Sequence, residues 1–167
     1  LKQFKLMVSP VHYKEIKADD PLSKDKIIEY NSHVLAALVR ETGGIPIVYD
    51  IVPDREDKIQ EALGKAVNSE ACLVIVNAGS SAGTKDYTAE IIGKLGEIFV
   101  HGVAMMPGKP TILGEVYGKP VIGNPGYTVS SILSFEQFIR PLLFSLQGRR
   151  SPTCDTVKVQ PTRDIPS

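Results

Sequence analysis

The sequence lacks the features that mark membrane or nucleic-acid-binding proteins. Its 167 residues carry 19 Lys and Arg against 19 Asp and Glu, so no excess of positive charge points to nucleic acid or a membrane as a partner. No apolar segment approaches the roughly 20 residues that cross a bilayer, and the N-terminal LKQFKLMVSP lacks the long apolar core of a signal peptide. These absences predict a cytoplasmic protein.

Cysteine and histidine are scarce and scattered. Cys72 lies in an apolar run and Cys154 in a polar tail, without C-x-x-C spacing, so we expect two free thiols in a reducing compartment. His12, His33 and His101 share no ligand spacing, which argues against a zinc site. We expect His33 on a helix surface and His101 on a strand.

The sequence does contain an alternation of strand and helix patterns. Apolar runs predict strands at FKLMVS, IPIVYDIV and ACLVIV, and the last is apolar on both faces, as a central parallel strand requires. Helical spacing predicts helices between them, with Asn31 or Ser32 as the first N-cap, Asp54 as the second and a third helix over Tyr87–Leu95. The segment Val11–Lys26 is expected to be a loop.

Further strand patterns follow in the second half of the chain. EIFVHGVAM is strand-like, TILGEVYGKPVIG predicts two strands around Tyr117 and Gly118, and a final helix over Thr128–Leu146 is expected to kink at Pro141. The alternation predicts an α/β fold: a three-layer, doubly wound, mostly parallel sheet. Residues 1–147 are expected to form this domain, and residues 148–167 a polar linker or the start of a further, truncated module.

Small-residue loops leave two of the predicted strands. NAGSSAGTKD (77–86) follows ACLVIV, and GNPGYTVSS (123–131) precedes the last helix. Glycines allow close approach to backbone N–H groups, and a helix N-terminus favours an anion, so each loop suits a phosphate. A plain strand-to-helix turn, capped by Asp86 or Thr128, explains each loop equally well. Neither a Walker loop nor a G-x-S-x-G nucleophile elbow is present.

Two charged residues add to the chemistry of these loops. Lys109 lies in the rigid segment MMPGKP, where its ammonium group could face a phosphate. Asp86 could hold a metal ion or orient a nucleophile, although an N-cap is the simpler interpretation. Two loops at one sheet edge favour an elongated ligand, since ligands of doubly wound sheets bind outside the carboxyl ends of the strands.

Three motifs in this order resemble the molybdopterin-binding domain of the molybdopterin molybdotransferase family, which includes the C-terminal part of gephyrin. The family pattern G-G-x-S-x-G-x-x-D aligns with residues 78–86, V-A-x-[KR]-P-G-K-P with 103–110, and G-L-P-G-N-P-V-S with 123–130. Upstream, PLSKDKIIEYNS is similar to the segment P-L-x-x-G-x-I-x-x-S-N, which places Asn31 on the family's Asn. NAGSSAG and the Tyr of the third motif resemble the subgroup fused to a periplasmic-binding-like or LysR-effector-like domain.

The resemblance implies a ligand and a set of site residues. The family binds molybdopterin or its adenylated form, inserts molybdate as substrate with Mg²⁺, and commonly forms dimers or trimers. Asp86 would be the catalytic and metal-binding residue. The ligand would be bound by residues of all three motifs: Gly79, Ser80, Ser81, Ala82, Gly83, Pro107, Gly108, Lys109, Pro110, Gly123, Pro125, Gly126, Tyr127 and Ser130.

The chain also departs from the family pattern. The family's acidic T-G-D-E segment falls at about residues 11–14, VHYK, which contains no acid, and Met106, Asn124, Tyr127 and Thr128 replace the usual residues. Two functions therefore stay open beside a molybdotransferase-type domain. One is a non-catalytic module that senses a pterin or nucleotide for a fused domain. The other is an adenylyltransferase or nucleotide-pyrophosphate hydrolase, which would need a second carboxylate near Asp86.

Overall fold

The computed structural model describes residues 5–11, 15–17, 19, 27–78, 86–152 and 158. At residues 5–11, 15, 16, 27 and 78 the description covers the backbone. The first loop motif from Gly79 to Lys85, the VHYK segment after Val11 and most of the tail beyond Pro152 lie outside the described residues.

A six-stranded sheet forms the middle layer, in the order β4-β1-β5-β8-β7-β6. The strands β4, β1, β5 and β8 are parallel, and β7 runs antiparallel to both of its neighbours. The sheet is therefore mostly parallel, as the sequence predicts. Its strands are β1 (Lys5–Val11), β4 (Ile45–Val48), β5 (Leu73–Ala78), β6 (Gly96–His101), β7 (Ile112–Val116) and β8 (Lys119–Pro125).

Helices cover both faces of this sheet. One face carries α1 (Asn31–Glu41) and the final helical run, which consists of α4 (Thr128–Ser134), a π-helical turn (Phe135–Ile139) and α5 (Arg140–Leu146). The other face carries α2 (Glu56–Val67) and α3 (Tyr87–Leu95). The three-layer α/β architecture expected from the alternation is confirmed.

The alternation of side chains along β5 explains why this strand is central. Leu73 and Ile75 pack against α1 and the final helical run, while Val74 and Val76 pack in the cluster of α2 and α3. All four side chains are at most 2 % exposed. A strand buried on both faces needs apolar residues at every position, which is the pattern that the run ACLVIV shows.

The predicted turn at Tyr117 and Gly118 is confirmed, and two helices show further local features. α1 ends at Glu41, and Gly43 follows with φ 86°, a left-handed conformation that glycine adopts without strain. Tyr117 and Gly118 both have positive φ and form the two-residue turn of the β7–β8 hairpin. The final helix runs on past Pro141, and its irregularity is the π-helical turn directly before that proline.

Other local predictions need correction. Glu15–Ile16 (β2), inside the segment expected to be loop, pairs in parallel with Ile27–Ile28 (β3), which directly follows that segment, and two-residue strands are too short to show periodicity. α2 begins after Arg55, so Asp54 is not its N-cap.

Two more helix starts differ by one residue from the predictions. Tyr30 takes the N-cap position of α1, and Tyr127 takes that of α4. Instead of capping α1 from Asn31 or Ser32, the protein uses the carboxylate of Glu29, which accepts bonds from the backbone N–H and the hydroxyl of Ser32. Similarly, Thr128 is the first residue of α4 and not its cap.

Candidate functional site

The topology of the sheet locates the candidate site. After β1 the chain continues to β4, on one side of β1 in the sheet, and after β5 it continues to β6, on the opposite side of β5. The two connections therefore diverge between the carboxyl ends of β1 and β5, which are neighbours in the sheet. Such a switch point leaves a crevice in which doubly wound sheets bind ligands. The segment 102–111 and the loop after β8 lie at the same edge, because His101, Ile112, Gly123 and Val76 are in register across the strands.

The third loop is held between the N-termini of two helices. The side-chain amide of Asn31, the first residue of α1, donates to the carbonyl of Gly126 at 2.5 Å. The hydroxyl of Thr128, the first residue of α4, donates to the hydroxyl of Tyr30 at 2.9 Å. Helix N-termini present free N–H groups and the positive end of the helix dipole, so this corner of the sheet suits an anionic or polar ligand.

A cluster of asparagine amides lies beneath that loop. We call it the amide cluster; it consists of Asn31, Asn77 and Asn124, which are 5 %, 1 % and 2 % exposed. The amide nitrogen of Asn124 lies 3.4 Å from the side-chain oxygen of Asn77 and donates to the hydroxyl of Ser131 at 2.6 Å. Alternation along β5 and β8 places these side chains on the face of α1 and α4.

Three polar atoms of the amide cluster have no hydrogen-bond partner in the described part of the chain. They are Oδ1 of Asn31, Nδ2 of Asn77 and Oδ1 of Asn124, and each is buried. Leaving a buried donor or acceptor unpaired costs about 1–3 kcal/mol, so folded proteins rarely retain several side by side. Their grouping at the carboxyl edge points to a function.

The second loop is a compact hairpin connection that exposes its lysine. Val103 donates its backbone N–H to the carbonyl of Lys109 at 2.8 Å. The hydroxyl of Thr111 donates to the carbonyl of Gly108 at 2.8 Å, and its oxygen lies 3.2 Å from the hydroxyl of Ser134 in α4, from which it can accept. Gly108 is buried with φ 122°, a conformation that requires glycine. The loop is thus fixed against α4 while the side chain of Lys109 remains exposed.

Asp86 is the N-cap of α3. Its Oδ1 accepts the backbone N–H of Ala89 at 3.1 Å, which confirms the simpler of the two interpretations. Its Oδ2 lies 3.3 Å from Nε2 of His101 at the end of β6, and both side chains are about half exposed. The pairing with His101 has no signal in sequence spacing. Within the described residues, no group of three His, Cys, Asp or Glu side chains could hold a metal ion.

The clearest changes in pKa lie away from this edge. Hydrogen bonds from Lys65 and Lys58 lower the pKa of Glu61, an exposed residue of α2, to about 2. Burial raises the pKa of the Cys72 thiol, and the described structure leaves this cysteine outside any disulfide, as predicted. His33 is exposed on α1 and His101 is a strand residue, also as predicted.

A broad apolar groove of about 720 Å³ lies between the second loop and the final helical run. Val103 and Met105 form one wall, and Leu133, Gln137 and Phe138 form the other. Among its described lining residues Gln137 alone has a polar side chain, so the groove offers little to a phosphate. The carboxyl edge, with its helix N-termini and amides, is the stronger candidate site.

The residues predicted for the site divide into three groups. Gly79, Ser80, Ser81, Ala82 and Gly83 lie outside the described residues. Pro107, Lys109, Pro110 and Tyr127 are exposed at the carboxyl edge, whereas Gly108, Gly123, Pro125 and Ser130 are buried there. Gly123 has a packing role, because a Cβ at this position would lie 3.0 Å from Cβ of Ile112. Gly126 contributes its carbonyl to Asn31.

Fold and candidate site together define a class of protein: the three-layer, doubly wound α/β domains, whose ligands bind at the carboxyl edge of the sheet. The family model described as "Probable molybdopterin binding domain" matches residues 16–145. Since this match covers most of the chain, the chain belongs to that family.

Relatives and solved structures agree. The chain is 34 % identical over 137 residues to the molybdopterin molybdenumtransferase of Nostoc sp. (strain PCC 7120), covering 80 % of this chain and 31 % of the relative. It is 36 % identical over 140 residues to molybdopterin molybdenumtransferase 2 of Mycobacterium tuberculosis, covering 79 % of this chain and 34 % of that relative. The crystal structure of the molybdopterin biosynthesis MoeA protein from Pyrococcus horikosii superposes with a TM-score of 0.81 at 34 % identity, covering 88 % of this chain and 36 % of that one.

The chain thus spans about a third of the length of the curated relatives that it matches. No helix in the described part of the chain has the length and apolar character needed to cross a membrane.

Proposed function

We propose that this domain binds the phosphate-bearing pterin molybdopterin, or its adenylate, at the carboxyl edge of the sheet. The observation that carries the proposal is the convergence there of the third loop with the N-termini of α1 and α4, at the same edge as the second loop. Membership of the family and the transferase names of its relatives support it. In the whole protein, the domain would present this ligand for the insertion of molybdate, the substrate.

In this proposal, each loop binds a different part of the ligand. Exposed Lys109 and the free N–H groups at the start of α4 bind the phosphate, since both carry positive charge or partial charge. The first loop motif, residues 79–83, completes the binding site. Pro107, Pro110 and Tyr127 form its exposed rim.

Asp86 is proposed as the residue that holds Mg²⁺ and takes part in catalysis. Asp86 is a single carboxylate, and it already caps α3 and contacts His101. It could therefore supply only part of the coordination of Mg²⁺, and the phosphate of the bound ligand would have to supply more. Mg²⁺ is commonly bound by one or two carboxylates together with substrate phosphates. Bound in this way, the ion would neutralise charge on the phosphate, and Asp86 would orient it.

Two further features belong to the proposal. We propose that the protein acts in the cytoplasm, together with the assembly of the cofactor. It would also form a homo-oligomer, a dimer or trimer, which sedimentation velocity of the protein would reveal; a monomer at all concentrations would contradict this part.

Isothermal titration with molybdopterin, and with AMP in the presence of Mg²⁺, tests the proposal. We expect Lys109→Ala to weaken binding of both ligands about tenfold, because a charge-assisted contact to phosphate is lost. Lys65→Ala is the matched control: this lysine is also exposed, but it pairs with Glu61 near the far end of α2. The absence of binding by either ligand, or equal loss in both variants, would overturn the proposal.

A further inference from the structure

The unpaired atoms of the amide cluster define a hydrogen-bonding pattern. Asn31 leaves an acceptor, because its amide nitrogen already donates to the carbonyl of Gly126. Asn77 leaves a donor and Asn124 leaves an acceptor. In the described part of the chain the cluster therefore offers one donor and two acceptors to a ligand.

The number of free donors and acceptors does not depend on how the amides are oriented. If Asn77 and Asn124 were both rotated by 180°, Asn77 would donate to Asn124 and leave its oxygen free, while Asn124 would leave its nitrogen free. In either orientation, Asn77 and Asn124 together leave one donor and one acceptor free. The carbonyl of Gly126 can only accept, so it fixes the orientation of Asn31.

The pattern excludes a phosphate and fits a heterocycle. A phosphate at pH 7 carries negatively charged acceptor oxygens, which two amide oxygens would repel. A 2-amino-4-oxopyrimidine ring presents one acceptor, its 4-oxo oxygen, and two donors, its N3–H and its 2-amino group. One acceptor and two donors are the complement of one donor and two acceptors.

Aromatic side chains flank the cluster. Tyr30 directly precedes Asn31 and is 50 % exposed, and Tyr127 directly follows Gly126 and is 76 % exposed. Flat heterocycles stack on such rings, and stacking combined with edge recognition is a common way to bind a base-like ring. The two tyrosines are therefore the candidates to stack on a ring that reaches the amides.

We propose that the amides of Asn31, Asn77 and Asn124 recognise the 2-amino-4-oxopyrimidine edge of the pterin, while the loops and helix N-termini take its phosphate. This inference rests on the proposed function and assigns the heterocycle-binding part of the same site. Asn124 stands where the related motif has Leu, so the recognition is a property of this chain rather than of the motif. Because the amide atoms have almost no solvent contact, the entering ring must displace the atoms that cover them.

The first test compares two small ligands on the unaltered protein. Pterin carries the 2-amino group, whereas lumazine is the same bicyclic ring with a 2-oxo group, so one donor becomes an acceptor. We expect pterin to bind at least about tenfold more tightly than lumazine, because a site built to bond a donor rejects the analogue that lacks it. Equal affinity, or no binding of pterin up to its solubility limit, would overturn the inference.

The second test changes the cluster itself. Asn124→Leu removes one amide with little change in volume, and we expect it to reduce the preference for pterin over lumazine to less than about threefold. Asn68→Leu, the same substitution at an exposed position after α2, is the control and should keep the preference. Circular dichroism verifies folding. A preserved preference in a folded Asn124→Leu variant would show that the amides are satisfied in another way, such as by internal water, and would contradict the inference.

The two proposals fail in different ways. If AMP and molybdopterin bind but pterin and lumazine do not differ, the inference is wrong and the proposed function stands. If pterin is preferred over lumazine but Lys109→Ala leaves the binding of molybdopterin and AMP unchanged, the phosphate assignment is wrong while the amide cluster is supported.

Discussion

At the scale of single residues, Asp86 shows how one side chain serves structure and chemistry at once. Its carboxylate caps α3 through Ala89 and contacts His101 through the other oxygen. The cap follows from sequence, because Asp directly before a helical pattern favours the N-cap position. The contact with His101 depends on β6 ending beside the start of α3, which no spacing in the sequence reveals.

Two substitutions separate these roles of Asp86. We expect Asp86→Ala to destabilise the protein by about 1 kcal/mol, because the N–H of Ala89 loses its acceptor. Asp86→Asn should keep most of that stability, since Asn caps as well as Asp, but should weaken any binding of Mg²⁺. Thermal unfolding measures the first effect, and titration with Mg²⁺ in the presence of AMP measures the second. If both variants bind Mg²⁺ like the unaltered protein, Asp86 is a cap and nothing more.

At the scale of elements, the edge hairpin of β6 and β7 depends on close backbone approach. A Cβ at Gly96 would lie 1.9 Å from the backbone oxygen of Glu115, and one at Gly114 would lie 2.6 Å from that of Glu97. Neither contact can be relieved by a side-chain rotation, because the obstructing atoms belong to the backbone. Strand β6 can begin directly after α3 because residue 96 is a glycine, which has no side chain to clash with β7.

A pair of glycine substitutions tests this conclusion. We expect Gly96→Ala to destabilise the protein by about 3 kcal/mol through the clash with β7. Gly93→Ala, three residues earlier at an exposed position of α3, should instead stabilise it by about 0.5 to 1 kcal/mol, because the nearest atom is 3.6 Å away and alanine favours helix. Urea unfolding of both variants gives the comparison. Similar free energies of unfolding for the two variants would show that β7 shifts to accept a side chain.

At the scale of the whole molecule, stability should be highest at the centre of the sheet. β5 pairs with β1 and β8 and is covered by helices on both faces, whereas β4 and β6 are the edge strands. Exposed Val48 and Phe99 mark these two edges. The centre also carries Asn77 and Asn124, so the proposed ligand site is built on the most rigid strands.

Native-state hydrogen exchange measures this gradient directly. We expect the amides of residues 74–76 and 121–123 to exchange only through global unfolding, and those of β4 and β6 to exchange through smaller openings that cost less free energy. The exchange of β7, paired on both sides, should be intermediate. Protection in the edge strands equal to that in β5 would mean that the sheet opens only as a unit.

Local sequence patterns were enough to predict the order and type of the long elements and the positions of the loops. Apolar periodicity decides which face of a helix or strand is buried, and parallel strands deliver their following loops to one edge, so Lys109 and Asp86 could be placed there in advance. The two-residue strands β2 and β3, the helix starts at Asn31 and Glu56 and the N-cap of α4 at Tyr127 escaped prediction. Such short pairs and single-residue boundaries depend on contacts with distant parts of the chain.

Which polar side chains meet depends on the tertiary fold. Asn31 and Gly126 are 95 residues apart and Asn77 and Asn124 are 47 apart, yet they share one buried cluster. Asn77 follows an apolar run, and Asn31 and Asn124 lie in segments that resemble the family's motifs, but no signal in the sequence showed that these amides meet. Hydrogen bonding between side chains is set by the register of β5 with β8 and by the packing of α1 on α4. These are long-range consequences of burying the whole core, and local sequence patterns do not encode them.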